Sequence, residues 1–286
     1  MEFRLDRLAT LYLVSPLRSL LSDRESSIPI LMYHSISDED ESGVRGYYRT
    51  ATSPRVFAEQ MEYLHHAGYQ TCGLTEAVAQ LDSPSGNTEN SVVITFDDGY
   101  RDFIRNAFPV LSRFDQTATM FLPTAYIGES SLEFKGKECL TWPEVRELQK
   151  FGILFGSHTV NHPQLASLDR GAIEMEITRS KQTIEEKTGF AVDSFAYPYA
   201  FPQANGEFRG VLRELLQSAG YRNGVCTVIG RARRRSEPLL MERLPVNGLD
   251  APALFEAKLA GGYDWVSWPQ AASKALQATI QGIYGR

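Results

Sequence analysis

Short apolar runs, most of them closed by Gly, Pro or Asp, alternate along the chain with segments whose apolar residues fall three and four apart. The runs at 29–33, 91–96, 117–122, 152–156, 194–197, 223–228 and 239–246 predict strands, and the patterns at 102–113, 142–150, 171–187 and 208–218 predict helices. A further helix over 54–67 is well marked. Ser53 suits its N-cap, Pro54 its first turn, Val56, Phe57, Met61 and Leu64 one face, and Gly68 its end. Strand alternating with helix at this spacing predicts an α/β fold with a parallel sheet and crossover helices. About seven such units, with no internal repeat and no break in composition, predict one closed or nearly closed (β/α) barrel.

The two ends depart from this alternation. At the C-terminus, Trp268, Ala272, Ala275, Leu276, Ile280 and Ile283 keep helical spacing, so the tail over 265–284 is expected to form a helix docked on the barrel. At the N-terminus, Leu5, Leu8, Tyr12 and Leu20 predict an amphipathic helical segment within residues 1–27, ahead of a barrel domain over 28–286. Packing of that helix on the domain is the first expectation, and contact with a membrane surface the second. Its apolar stretch, residues 8–17, is too short to span a bilayer. Glu2, Arg4, Asp6 and Arg7 leave no net positive charge before it, and no small-x-small site follows. A protein in the cytoplasm, or peripheral at the inner face of the membrane, is expected, with export as the alternative.

Composition narrows the classes further. The 286 residues carry a net charge of -6, which argues against a general nucleic-acid binder. The three cysteines, Cys72, Cys139 and Cys226, are odd in number and lack C-x-x-C spacing, so buried, inert thiols are expected rather than disulfides or a thiolate metal site.

Candidate chemistry gathers at two strand ends. Asp97-Asp98-Gly99 closes the 91–96 run, and His158 and His162 follow the 152–156 run in Ser157-His158-Thr159-Val160-Asn161-His162. Asp-Asp-Gly by itself reads equally well as a turn. A His pair four apart is likewise common by chance. Their conjunction is less so, because the chain has only five His and the C-terminal strand ends of such barrels converge on one face. A catalytic divalent metal takes three protein ligands and keeps one position open. One Asp and two His fill that quota and leave the second Asp as a base.

With Thr95-Phe96-Asp97-Asp98-Gly99, the His segment and Phe195-Ala196-Tyr197-Pro198-Tyr199 in this order, the chain resembles the polysaccharide deacetylases, the NodB-homology carbohydrate esterases. Pro29-Ile30-Leu31-Met32-Tyr33-His34 and Leu140-Thr141-Trp142-Pro143-Glu144-Val145 add to the resemblance, which covers roughly 28–248. It implies a distorted (β/α) barrel of about seven strands. It implies a metal held by Asp98, His158 and His162, zinc first, with cobalt or nickel as alternatives, and Asp97 as general base. The backbone N–H of Tyr199, aimed by Pro198, would receive the oxyanion beside the substrate.

Two departures from the family pattern matter. The late strand Leu239–Val246 lacks the usual acidic His, and no Asp-x-x-x-Trp occurs between 200 and 260. The branch acting on poly-N-acetylglucosamine uses the early Met-Tyr-His instead, which implies His34 as the general acid. The other reading is a His that hydrogen-bonds neighbouring loops. Ala196 stands where an Arg often orients the catalytic Asp, and Arg243 is the candidate to supply that guanidinium to Asp97, unless it is a surface Arg paired with Glu242. Ala200 replaces a frequent Gly. His65 and His66 are expected to be solvated, and Trp142 to pack rather than stack on sugar. The basic run 231–235 reads as a hairpin tip, either simply solvated or, beside the cleft, a site for an acidic glycan.

The resulting expectation is a metal-dependent hydrolase that removes N-acetyl groups from N-acetylhexosamine units of a glycan, with no nucleic-acid partner. A cyclic amide hydrolase of the same fold and a catalytically silent glycan-binding relative are the rivals.

Overall fold

The computed structural model describes residues 5–16, 26–44, 49–83 and 88–272. Among them, seven strands form a parallel ring: β1 (Ile30–Tyr33), β2 (Ser91–Phe96), β3 (Thr119–Leu122), β4 (Leu154–Ser157), β5 (Ser194–Ala196), β6 (Asn223–Ile229) and β7 (Met241–Pro245). Each pairs with the next in sequence. Pairing of Leu31 with both Leu244 and Ile94 closes the ring, so the expected seven-stranded barrel forms. All six residues of β2 are buried, as a parallel strand covered on both faces requires.

Helices cross between the strands where the periodicity placed them. Ser53 accepts from the Val56 N–H at 3.3 Å to start Pro54–His66, and Thr141 and Glu144 form a capping box that starts Trp142–Lys150. Arg170–Thr188 and Gly206–Ser218 cover the later strands. The helical pattern after β2 begins with a π-helical turn, Phe103–Ala107, before Phe108–Arg113. Besides the short Pro252–Leu259, one further helix was not anticipated, Leu74–Asp82. Its Leu74, Ala77 and Leu81 pack with Ile28, Ile30, Val93, Val225 and Met241 inside the barrel. Thr75 Oγ1 accepts from Asn223, the first residue of β6, at 2.8 Å. This helix therefore plugs the end where the strands begin and leaves the other end for the site. Close packing inside also needs Gly156 on β4, where a Cβ would lie 2.6 Å from the Phe121 ring.

Three expectations need correction. The basic run is a solvated turn only at Arg234 and Arg235: Ala232–Arg233 pairs antiparallel with Ser27–Ile28, and the guanidinium groups of Arg231 and Arg233 lie 3.2 and 2.9 Å from Asp264. Charge clustering alone could not reveal an acidic partner thirty residues later. The N-terminal helix forms over Leu5–Ala9, continues as a π-turn over Thr10–Val14 and does contact the domain, but Leu5, Leu8 and Tyr12, the face expected to pack, are exposed. Leu5 and Tyr12 are 70% and 73% exposed, whereas Asp6 accepts from Tyr263 Oη and Thr10 from Trp265 Nε1. Spacing defines a face without saying what covers it. Leu20 lies outside the described residues. Trp268 is 80% exposed rather than docked, and most of the expected C-terminal helix, from 273 onward, is outside the described residues. No helix among the described residues is long and apolar enough to cross a membrane. The three cysteines are buried thiols, as expected, and burial pushes Cys72 and Cys139 up to about 12.

Candidate active site

Every residue singled out at a strand end lies at the open end of the barrel. His34 follows β1, Asp97 and Asp98 follow β2, His158 follows β4, and Tyr197-Pro198-Tyr199 follows β5. Arg243 sits within β7 with its side chain fully buried.

Asp97 is 2% exposed and its two oxygens accept from Arg243 Nη1 and Nη2 at 2.7 and 2.8 Å. The guanidinium is itself fixed by Cys226 O, which accepts from Nε at 3.1 Å, and by Thr95 Oγ1 at 3.3 Å from Nη1. Arg243 is thus not the surface partner of Glu242, which accepts instead from Ser236. Burial alone would raise the Asp97 carboxyl. Arg243, with His158 and His34, outweighs it and holds the group below the usual carboxylate range. The Nε2 atoms of His34 and His158 both lie 3.9 Å from Asp97 Oδ2.

Asp98, His158 and His162 form a second, touching cluster whose donor atoms all lie within 4.8 Å of one another. His158 Nδ1 is 2.8 Å from Ala196 O, and because a carbonyl only accepts, Nδ1 carries the proton and Nε2 keeps its lone pair. That Nε2 is 3.7 Å from Asp98 Oδ1, and His162 Nε2 is 3.2 Å from the same oxygen. Ligands of a tetrahedral ion with bonds of 2.0–2.2 Å stand roughly 3.4 Å apart, so this donor set fits a divalent cation. Asp98 Oδ1 is also buried without a hydrogen bond, as a ligand atom held for a cation would be. Burial pushes His158 down to about 3, against the pull of Asp97, so the imidazole is neutral, as ligation requires. Burial would raise Asp98, but His162, with Nε2 3.2 Å from Oδ1, and the facing His34, His158 and Lys135 hold it far below its ordinary value.

Backbone strain concentrates here. Asp98, Lys135, Thr159, His162 and Tyr199 all have positive φ, between 51° and 71°. Such conformations in non-glycine residues persist only where surrounding contacts enforce them. The Tyr199 N–H has no acceptor among the described residues, and its half-exposed ring stands 4.5 Å from that of His162. Pro198 is buried beside it. His65 and His66 are exposed on their helix and Trp142 is buried, both as expected.

The sequence reading missed Tyr100, Lys135 and Glu176. Tyr100 Oη donates to Asp98 Oδ2 at 3.0 Å. Lys135 Nζ lies 3.4 Å from the same oxygen and 4.5 Å above the Phe134 ring, at the tip of a hairpin formed by Glu133–Phe134 and Lys137–Glu138. Nothing in the polar stretch around Lys135 signalled this. Glu176 accepts from the loop between the two His, and an acid between Ile173 and Ile177 on a buried helix face was a readable sign.

The sequence pattern of the family described as polysaccharide deacetylase matches residues 85–224. A Bacillus subtilis protein, YxkH, described provisionally as a polysaccharide deacetylase, is 30% identical over 226 residues, covering 79% of this chain and 74% of its own length. The chain belongs to the polysaccharide deacetylase family. A deacetylase of the family from Escherichia coli O157:H7, named for poly-beta-1,6-N-acetyl-D-glucosamine, is 23% identical over 71% of this chain. The matched stretch is only 35% of that protein's length. Among solved structures, the Streptococcus pyogenes deacetylase PplD, in complex with acetate, superposes with a TM-score of 0.71 at 25% identity, over 82% of this chain and 99% of its own.

Proposed function

We propose that the protein hydrolyses the N-acetyl group of N-acetylhexosamine units in a polysaccharide or lipid-linked glycan, in a reaction that depends on a divalent metal, zinc first among candidates. The observation that carries this reading is an ionised carboxylate set beside the cluster of donors that would hold the ion. Asp97 is locked ionised by Arg243, and its Oδ2 stands 3.9 Å from His158, one of the three residues that would hold the ion. Similarity to the enzymes named above supports the choice of substrate class.

When bound by Asp98, His158 and His162, the ion would polarise the acetyl carbonyl and lower the pKa of a neighbouring water to about 7. Asp97 takes the proton of the attacking water. The Tyr199 N–H donates to the oxygen of the former carbonyl as it becomes tetrahedral. The C–N bond then breaks, giving acetate and a free amine. Asp97 Oδ2 lies 3.9 Å from His34 Nε2, so the proton reaches that imidazole through one water or a small side-chain shift and passes on to the leaving nitrogen. The His34 side chain is 20% exposed, so it is accessible from the open end of the barrel.

The test is acetate release from an N-acetylglucosamine oligomer by the chelated protein, alone and with added Zn²⁺, Co²⁺ or Ni²⁺. Release that requires the metal is expected. Stoichiometric metal binding with no release from oligomers or lipid-linked sugars would overturn the proposal in favour of a silent binder, and turnover of cyclic amides alone would reassign the reaction.

A further inference from the structure

Helix Arg170–Thr188 turns Ile173, Ile177, Ser180 and Ile184 inward, and Glu176 lies on the same side, 4% exposed. A carboxylate placed there must find strong donors or destabilise the fold. It finds three, and all belong to the segment between the two metal-facing histidines. Oε2 accepts from the Val160 N–H at 2.8 Å and the Asn161 N–H at 2.9 Å, and Oε1 accepts from Asn161 Nδ2 at 2.7 Å.

The other side of this segment is also held. Thr159 O accepts from the Thr124 N–H at 3.1 Å and Val160 O from the Ala125 N–H at 2.9 Å. Thr159 Oγ1 accepts from the His162 N–H at 3.0 Å, and Ser157 Oγ from the Thr159 N–H at 3.2 Å. The backbone so clamped is not relaxed: φ is +69° at Thr159 and +54° at His162. Without an acceptor for the 160 and 161 N–H groups, the loop has a reason to leave this conformation. His162 would then move away from Asp98 and His158.

We infer that Glu176 is a positioning residue, which holds the His158–His162 loop in the strained shape that points both imidazoles at Asp98. This rests on the metal-site reading proposed above, and its primary readout is metal affinity rather than turnover.

The donor pattern supplies a specific test. In Glu176→Gln one oxygen can still accept both backbone N–H groups and the new amide NH₂ can donate to a turned Asn161 Oδ1, so what is lost is the charge that strengthens these bonds. Adding Asn161→Asp, at an exposed position, gives that NH₂ a carboxylate to donate to. Zn²⁺ affinity would be measured on the full chain by competition with a chromophoric chelator, with the Co²⁺ absorption spectrum as a reporter of ligand geometry and melting temperature alongside. Glu176→Gln is expected to bind Zn²⁺ about 10- to 100-fold more weakly, the range for residues that orient metal ligands. The double variant is expected to recover to within about threefold of the parent, with the parental Co²⁺ spectrum. A merely structural role would lower the melting point of Glu176→Gln with its metal affinity unchanged, and that overturns the inference. So does a double variant that binds no better than the single one. If the parent protein itself binds no metal, the metal-site reading fails first and the inference falls with it.

Discussion

Removal of the Arg243 guanidinium tests the physical basis of the site most directly. Arg243→Met keeps much of the side-chain volume but leaves Asp97, 2% exposed, without its bidentate partner. Breaking a buried ion pair by removing one member costs about 3–5 kcal/mol, because the remaining charge is uncompensated. At about 2 °C per kcal/mol for a chain of this size, the melting point should fall by roughly 6–10 °C. The loss should also depend on pH. Burial, no longer opposed by Arg243, raises the Asp97 carboxyl above its unfolded value. The folded variant then binds more protons than the unfolded chain across that interval, and each unit of pH there costs about 1.36 kcal/mol. Relative to the parent, the variant should therefore be less destabilised at pH 4 than at pH 8. Adding Asp97→Asn removes the stranded charge, so the double variant should recover stability at pH 8 and lose the pH slope. Thermal and urea melts of the chelated proteins at both pH values form the assay. A loss below about 1 kcal/mol, or single effects that simply add in the double variant, would refute the view that Arg243 is what keeps Asp97 ionised.

Other outcomes follow from the same geometry. Asp97→Asn should bind zinc with unchanged stoichiometry and lose about 10²- to 10⁴-fold in acetate release, the usual range for a general base; near-parental turnover would remove it from that role. His158→Ala should lose both zinc, by equilibrium dialysis, and activity. His34→Ala should keep the metal and lose turnover, and an unchanged rate would return His34 to a loop-bridging role. In the chelated protein, His158 is pushed from 6.5 to about 3, so the unfolded chain binds the extra proton between those values. Stability should therefore rise with pH across that window and be lost toward about pH 3, and melts of His158→Gln should show a shallower slope over the same range.

Much of this protein was legible in the order of its residues. Alternation of apolar runs with helical spacing determined a parallel barrel, because a strand buried on both faces and a helix with one apolar stripe have few ways to cover each other. The same logic placed Asp97, Asp98, His158 and His34 at strand ends and hence on one face. Helix caps at Ser53 and Thr141 were local and so readable. What the sequence could not determine were the pairings across long separations. Arg243 reaches Asp97 across 146 positions, and nothing near either residue distinguishes that contact from a surface pair with Glu242. Lys135 meets Asp98 only because a short hairpin folds over the barrel mouth. The N-terminal helix meets the domain through Asp6 and Thr10, which accept from Tyr263 and Trp265 across more than 250 positions, while Leu5 and Tyr12 stay exposed. Residue spacing specifies which groups share a strand or a helix face. Which charge ends beside which, and whether a buried carboxylate is held ionised, is decided by the closure of the barrel, where distance and burial set the electrostatics.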